Sequence, residues 1–128
     1  MNGDLLTKIN FQHLLDFHYK HEAYATVCIR EYDLQIPYGV ISLDGNQISR
    51  IDEKPLHHFF VNAGVYVLNP ECLQLIPHNT YFDMPDLFNI LVSQQKTTIG
   101  FPIHEYWLDI GHVDNLHQAN RDYNKLFE

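Results

Sequence analysis

Two aspartates, Asp4 in Asn2-Gly3-Asp4 and Asp109 in Trp107-Leu108-Asp109-Ile110-Gly111, each stand where an apolar run meets a glycine-containing turn. Turns of this kind aim a side chain off the edge of a sheet. In α/β sheets ligands bind beyond the carboxyl ends of strands. Two carboxylates meeting there can hold a Mg²⁺ ion that keeps several waters and takes its other ligands from phosphate oxygens. Spacing alone equally allows Asp4 to cap the turn into a first helix and Asp109 to cap the last one. Glu53-Lys54-Pro55 forms a second candidate. Proline disfavours helical backbone at the residue before it, so Lys54 is expected to be extended. A lysine fixed there acts as a point charge on a phosphate, and the adjacent carboxylate accepts hydrogen bonds from hydroxyl groups. Taken alone, the tripeptide also fits a solvated surface pair.

Other chemistries find less support. The nine histidines are scattered, with His13, His18 and His21 on or beside the first helical segment, His57 next to His58, and no acidic or cysteine partner at zinc spacing. Cys28 and Cys72 belong to no CxxC pair and lie in apolar runs, which reads as buried free thiols and suits a reducing cytoplasm. No GxSxG, Walker A or GxGxxG motif is present, so covalent catalysis has no support in the sequence.

Composition sets the frame for these groups. A chain of 128 residues, 45% hydrophobic and 19% charged, is expected to form one folded domain with a real core. Sixteen acidic against eight basic residues give a net charge of −8, and no Lys/Arg stripe exists to follow a phosphodiester backbone. Nucleic acid is therefore not expected as a partner. An acidic protein that takes phosphorylated ligands needs a cation to offset the repulsion, which again points to a divalent metal. No apolar run reaches the roughly 20 residues of a membrane span, and no export signal opens the chain, so no membrane partner is expected.

The elements that must position these groups follow from periodicity. Phe11, Leu14, Leu15 and His18 keep helical spacing after Asn10, a good N-cap, and predict a helix over 10–21. Tyr24–Arg30 reads as a strand buried on both faces. Residues 38–52, with Asp44-Gly45-Asn46 between two apolar-rich runs, read as a hairpin. Phe60–Leu68 is a further buried strand ended by Asn69-Pro70, and short helices are expected at 70–75 and 84–95. Thr97–Ile103 is the last strand, and Trp107–Gly111 is read as a turn before a final helix carrying Val113, Leu116, Ala119, Asn120 and Tyr123. Strands alternating with helices, interrupted by one hairpin, indicate an α/β layered domain with a parallel or mixed sheet. The abrupt apolar opening after Asp4 reads like the end of a strand already under way.

Taken in order, Asn2-Gly3-Asp4, Pro37-Tyr38-Gly39-Val40, Glu53-Lys54-Pro55, Asn62-Ala63-Gly64-Val65-Tyr66 and Trp107-Leu108-Asp109-Ile110-Gly111 resemble the sugar-1-phosphate nucleotidyltransferase family. The Leu5–Lys8 run and the Glu53-Lys54-Pro55 context look most like its mannose-1-phosphate guanylyltransferase branch, found in surface-polysaccharide biosynthesis. The resemblance covers nearly the whole chain and implies a Rossmann-like α/β fold with a mixed sheet. It also implies a reaction in which an NTP, GTP or dTTP, and a sugar 1-phosphate give a nucleotide sugar and pyrophosphate. By the same resemblance, Asp4 and Asp109 would be the Mg²⁺ ligands and Lys54 would hold the sugar phosphate. Gly39 would present its backbone N–H to the sugar, Glu53 and Asn62 would bind sugar hydroxyls, and Tyr38, Gly64 and Trp107 would wall the pocket.

The family's Gly-rich loop, G-G-x-G-T-R, which grips the nucleotide, does not occur in the sequence. The resemblance thus implies the C-terminal, sugar-phosphate- and metal-binding part of such a domain. Its N-terminal half would be a partner, its strand edges would be open to self-association, and it would be inactive alone. Two further readings are a non-catalytic sugar-phosphate-binding or regulatory module and a metal-dependent phosphohydrolase using Asp4 and Asp109.

Overall fold

In the computed structural model, which describes residues 1–127, the chain forms two compact units: residues 1–29 with 62–127, and residues 30–61. The order of elements is β1 (Leu5–Thr7), α1 (Phe11–Lys20), β2 (Ala25–Gln35), β3 (Val40–Asp44), β4 (Gln47–Asp52), β5 (Leu56–Leu68), a 3-10 helix (Pro70–Leu75), α2 (Met84–Ser93), β6 (Thr98–Pro102), β7 (Trp107–Asp109) and α3 (Val113–Leu126). Strands β2 and β5 contribute residues to both units.

In the larger unit, α1 begins where expected: the Asn10 side chain accepts the His13 amide at 3.1 Å, satisfying one of the free donors of the first turn. Leu14 and His18, one turn apart, are its buried residues, and Phe17 meets Phe101 edge-on with ring centroids 5.1 Å apart. Helix α2 carries a capping box in which Asp83 and Asp86 bond each other's backbone amides, and it buries Leu87 and Leu91. The central sheet has the order β5-β2-β6. Strands β2 and β6 run parallel, from Ala25 opposite Thr98 to Ile29 opposite Pro102. The Asn69 amide, just past β5, donates to the Tyr24 carbonyl, just before β2, so that pair is antiparallel and the sheet is mixed.

The core lies in two clusters. One groups Ile9, Leu14, Cys28, Ala63, Val65 and Ile103, with Leu5, Phe101 and Trp107 packed against it; the other groups Ala25, Cys72, Leu87 and Leu91. Both cysteines are free and buried. Among the described residues two polar side chains, His18 and Thr26, are also buried. His18 bonds Thr26 Oγ1 through Nδ1 at 2.7 Å and Asn69 Oδ1 through Nε2 at 2.9 Å, which offsets the cost of burying the ring.

In the smaller unit, β3 and β4 form the expected hairpin, and of Asp44-Gly45-Asn46 only Gly45 and Asn46 make the turn: Asp44 pairs with Gln47, and Gly45 has φ +58°. Glycine at the first central position with positive φ is the requirement of a type II′ turn. A bulge between Ser42 and Leu43 follows. Ile41 faces Ile51 and Leu43 faces Ile48, which leaves four exposed aliphatic side chains on one side of the ribbon.

Three expectations are corrected. Trp107–Asp109 is a strand rather than part of a turn; it pairs antiparallel with β1, and three residues are too few for any periodicity to reveal. Lys54 is not extended: its φ is +43°, in the left-handed region, because the chain turns there between Asp52, the end of β4, and Leu56, the start of β5. Strands β2 and β5 are longer than expected; their added residues, Glu31–Gln35 and Leu56–Phe59, are exposed, and so is Phe60, which was expected to be buried.

Candidate active site

Strands β1 and β7 bring the two aspartates together. Leu5 pairs with Asp109, Leu6 with Leu108 and Thr7 with Trp107, and the ladder continues as the Ile110 amide donates to the Asp4 carbonyl at 2.8 Å. Asp4 and Asp109 thus sit one residue apart on facing chains at one end of a ribbon, and both are exposed. Neither acts as a helix cap. The cap of α1 is Asn10, and α3 starts after His112 with no side-chain cap. Asp4 precedes β1 and lies in its entry turn, so the strict up-and-down alternation of a strand does not govern its direction.

The ribbon is anchored on several sides. The Tyr106 carbonyl accepts both the Lys8 amide at 2.9 Å and the Thr7 hydroxyl at 2.8 Å, while its own phenol donates to Asp122 on α3 at 2.7 Å. Desolvation, reinforced by that bond to a carboxylate, pushes the Tyr106 phenol up to about 12, so it remains a donor at neutral pH. Asn115 Nδ2 donates to the Asp109 carbonyl at 2.6 Å, and the Trp107 indole donates to the Ala63 carbonyl at 2.8 Å. A cleft of about 390 Å³, lined by Ile110, Gly111, His112, Val113 and Leu116, opens next to Asp109.

Asn62 lies on β5 in the same unit, close in sequence to the Ala63 carbonyl that Trp107 binds. Its Oδ1 accepts the Gly64 amide at 2.8 Å and its Nδ2 donates to the Tyr66 hydroxyl at 2.8 Å. A carboxamide has two acceptor lone pairs and two N–H groups, so one of each remains for a ligand. Gly64 has φ +73°, and a Cβ there would stand 2.7 Å from Asn2 Nδ2, so only glycine fits.

Gly39, Glu53 and Lys54 belong to the smaller unit. A Cβ on Gly39 would lie 3.2 Å from Glu53 Oε2, so the absence of a side chain leaves that carboxylate its position. Glu53 lines a cleft of about 510 Å³ with Val40, Arg50, Ile51, Asp52, Pro55 and His57. The Lys54 carbonyl accepts Gln35 Nε2 at 3.4 Å, and the neighbouring Pro55 carbonyl accepts the Ile36 amide at 3.1 Å. Arg50, paired with Asp52 at 2.8 Å, stands in no sequence motif and was not singled out; His57, considered in the sequence only as one of the scattered histidines, also lines this cleft.

Chemically, the aspartate pair suits a hard cation. Among the described residues no cluster of three or more His, Cys, Asp or Glu forms a closed metal cage. Two exposed carboxylates on facing backbones are hard oxygen donors, the ligand type that Mg²⁺ takes one or two at a time while keeping waters and phosphate oxygens as its remaining ligands.

Residues 1–125 match the family described as nucleotidyl transferase. The chain belongs to this family. Among relatives, the mannose-1-phosphate guanyltransferase of Kluyveromyces lactis is 36% identical over 116 residues, covering 87% of this chain and 32% of its own length. A glucose-1-phosphate adenylyltransferase of Geobacillus stearothermophilus is 27% identical over 134 residues, covering 95% of this chain and 35% of that protein. The chain therefore spans about a third of the length of the curated relatives it matches. A crystal structure assigned as a glucose-1-phosphate thymidylyltransferase from Bacillus anthracis superposes with a TM-score of 0.67 at 17% identity, covering 97% of this chain and 53% of that one. The α/β fold with a mixed sheet is thus the nucleotidyltransferase fold.

Proposed function

We propose that this chain is the sugar-phosphate- and Mg²⁺-binding part of a nucleotidyltransferase that makes a nucleotide sugar and pyrophosphate from an NTP and a sugar 1-phosphate. The observation that carries the reading is the meeting of Asp4 and Asp109 on one ladder. Mannose 1-phosphate and GTP are the substrates proposed, because relatives at 36% identity are mannose-1-phosphate guanyltransferases.

In the reaction an oxygen of the sugar phosphate forms a bond to the α-phosphorus of the NTP as the bond from that phosphorus to the pyrophosphate oxygen breaks. No covalent enzyme intermediate is required, so positioning and charge neutralisation supply the rate. A Mg²⁺ held by Asp4 and Asp109 would neutralise phosphate charge, which a chain of net charge −8 otherwise repels. Lys54 would place its ammonium on the sugar phosphate. Glu53, Asn62 and the Gly39 amide would orient the sugar. A second reading, a module that binds sugar phosphate without transferring it, makes a different prediction for pyrophosphate release.

The test is twofold. Mannose 1-phosphate and glucose 1-phosphate are titrated into this chain with Mg²⁺, and pyrophosphate release from GTP or dTTP is followed both for this chain and for the longest reading frame that contains it. Sugar-phosphate binding with pyrophosphate released only by the longer protein supports the transferase. Binding with no pyrophosphate from either supports the module. Phosphate release without any NTP would instead establish a hydrolase.

A further inference from the structure

Gly64 lies within β5 at φ +73°, in the left-handed region, and both of its backbone polar groups are bonded outside the regular ladder pattern. Its amide is taken by Asn62 Oδ1 at 2.8 Å, a side-chain-to-backbone bond two residues along the chain, and its carbonyl accepts the Asn2 amide at 2.8 Å. Asn62 is in turn held from the other end by the Tyr66 hydroxyl at 2.8 Å. The Gly64 amide is thus held by one side chain, Asn62, whose two polar atoms are both engaged.

The same stretch of β5 touches the segments that carry the two aspartates. Asn2 and Leu5 bracket Asp4, and the Gly64 position touches both: a Cβ there would meet Asn2 at 2.7 Å and Leu5 Cδ1 at 3.1 Å. The preceding carbonyl, that of Ala63, accepts the Trp107 indole at 2.8 Å, and Trp107 lies two residues before Asp109 on β7. One three-residue stretch, Asn62-Ala63-Gly64, thus supports the segment carrying each carboxylate through a separate hydrogen bond.

We infer that Asn62 is a positioning residue for the Asp4–Asp109 cation site, acting through Gly64 on Asp4 and through Ala63 and Trp107 on Asp109, in addition to any contact it makes with a sugar. The inference rests on the metal reading proposed above, and its test separates the two. Rotation of the Asn62 carboxamide would release the Gly64 amide, and the Asn2 amide and the Trp107 indole N–H would lose their fixed acceptors.

Two measurements on this chain decide the matter. In the metal-free protein, hydrogen exchange of the Asn2 amide and the Trp107 indole is followed by NMR. Asn62→Ala is expected to speed both by about tenfold or more by local opening, whereas Asn62→Asp, which retains an acceptor for the Gly64 amide, stays within about threefold. Mn²⁺ binding is followed by electron paramagnetic resonance, and Asn62→Ala is expected to weaken it by about tenfold or more, the size usual for residues that orient metal ligands. Tyr66→Phe, which removes only the distal hydroxyl, moves both readouts the same way by less and serves if Asn62→Ala does not fold.

Unchanged exchange at both probes overturns the inference. So does unchanged Mn²⁺ affinity in Asn62→Ala while Asp4→Asn abolishes binding, a pattern that leaves Asn62 as a sugar ligand alone. If Asp4→Asn itself leaves Mn²⁺ binding intact, the metal reading fails, and the exchange data alone establish or refute the support that Asn62 gives to the two segments.

Discussion

The main-chain carbonyl of Asp4 accepts the amide of Ile110, the residue that follows Asp109, so the two acidic side chains leave facing backbones one step apart. Replacing either carboxylate by its amide, Asp4→Asn or Asp109→Asn, removes one negative ligand and keeps the shape. Each is expected to weaken Mn²⁺ binding by about tenfold or more while leaving thermal unfolding within a few degrees, since exposed surface changes seldom move stability by more than about 0.5 kcal/mol. Calorimetric titration and a melting curve check both halves.

Gly64→Ala should be costly. The added methyl would sit 2.7 Å from Asn2 and force an alanine into φ +73°. A loss of about 2 kcal/mol or more is expected from urea unfolding, as strain of this type costs about 1–3 kcal/mol before the clash is counted.

Gly39→Ala should act differently. Its methyl would meet Glu53 Oε2 at 3.2 Å, the free end of a flexible side chain, so the carboxylate moves aside and the fold survives. Sugar-phosphate affinity is expected to fall by about tenfold, roughly the worth of one hydrogen bond to a charged group, with Mn²⁺ affinity unchanged. An equal loss in both would place Gly39 in a general structural role.

Alkaline pH should destabilise the protein through its thiols. Burial, with a smaller contribution from Glu105, pushes Cys28 up from 9.0 to about 12, and burial is also the largest cause of the rise at Cys72. Below the unfolded-state value both states hold the proton and stability is full; above it the unfolded chain ionises first, so stability falls as pH rises from about 9 toward about 12. The urea midpoint should drop across that window, less steeply in Cys28→Ala. In the native protein at pH 8 both thiols should resist a disulfide reagent that labels them rapidly in urea.

Much of this architecture was legible because local signals dominate it. Asn10 announces its helix by the chemistry of an N-cap, and the residues around Gly45 announce a hairpin, although Asp44 joins the ladder rather than the turn. The order of the five sequence motifs was enough to indicate the family that residues 1–125 match. What stayed hidden depends on remote partners. β7 exists only because β1 pairs with it, and the left-handed Lys54 answers to the turn between β4 and β5 rather than to Pro55 alone. The double engagement of Asn62 and the enclosed His18 likewise carry no signature in spacing, since each needs a partner that only the folded chain supplies.

That enclosed imidazole draws its two bonds from Thr26, near the start of β2, and from Asn69, immediately after β5. Strand side chains alternate between faces, so sliding β2 by a single residue would turn Thr26 away and strand a polar ring in the dry interior. The trio works as a parity check on assembly: mispaired arrangements of otherwise interchangeable aliphatic strands are penalised, and the central sheet closes in one alignment.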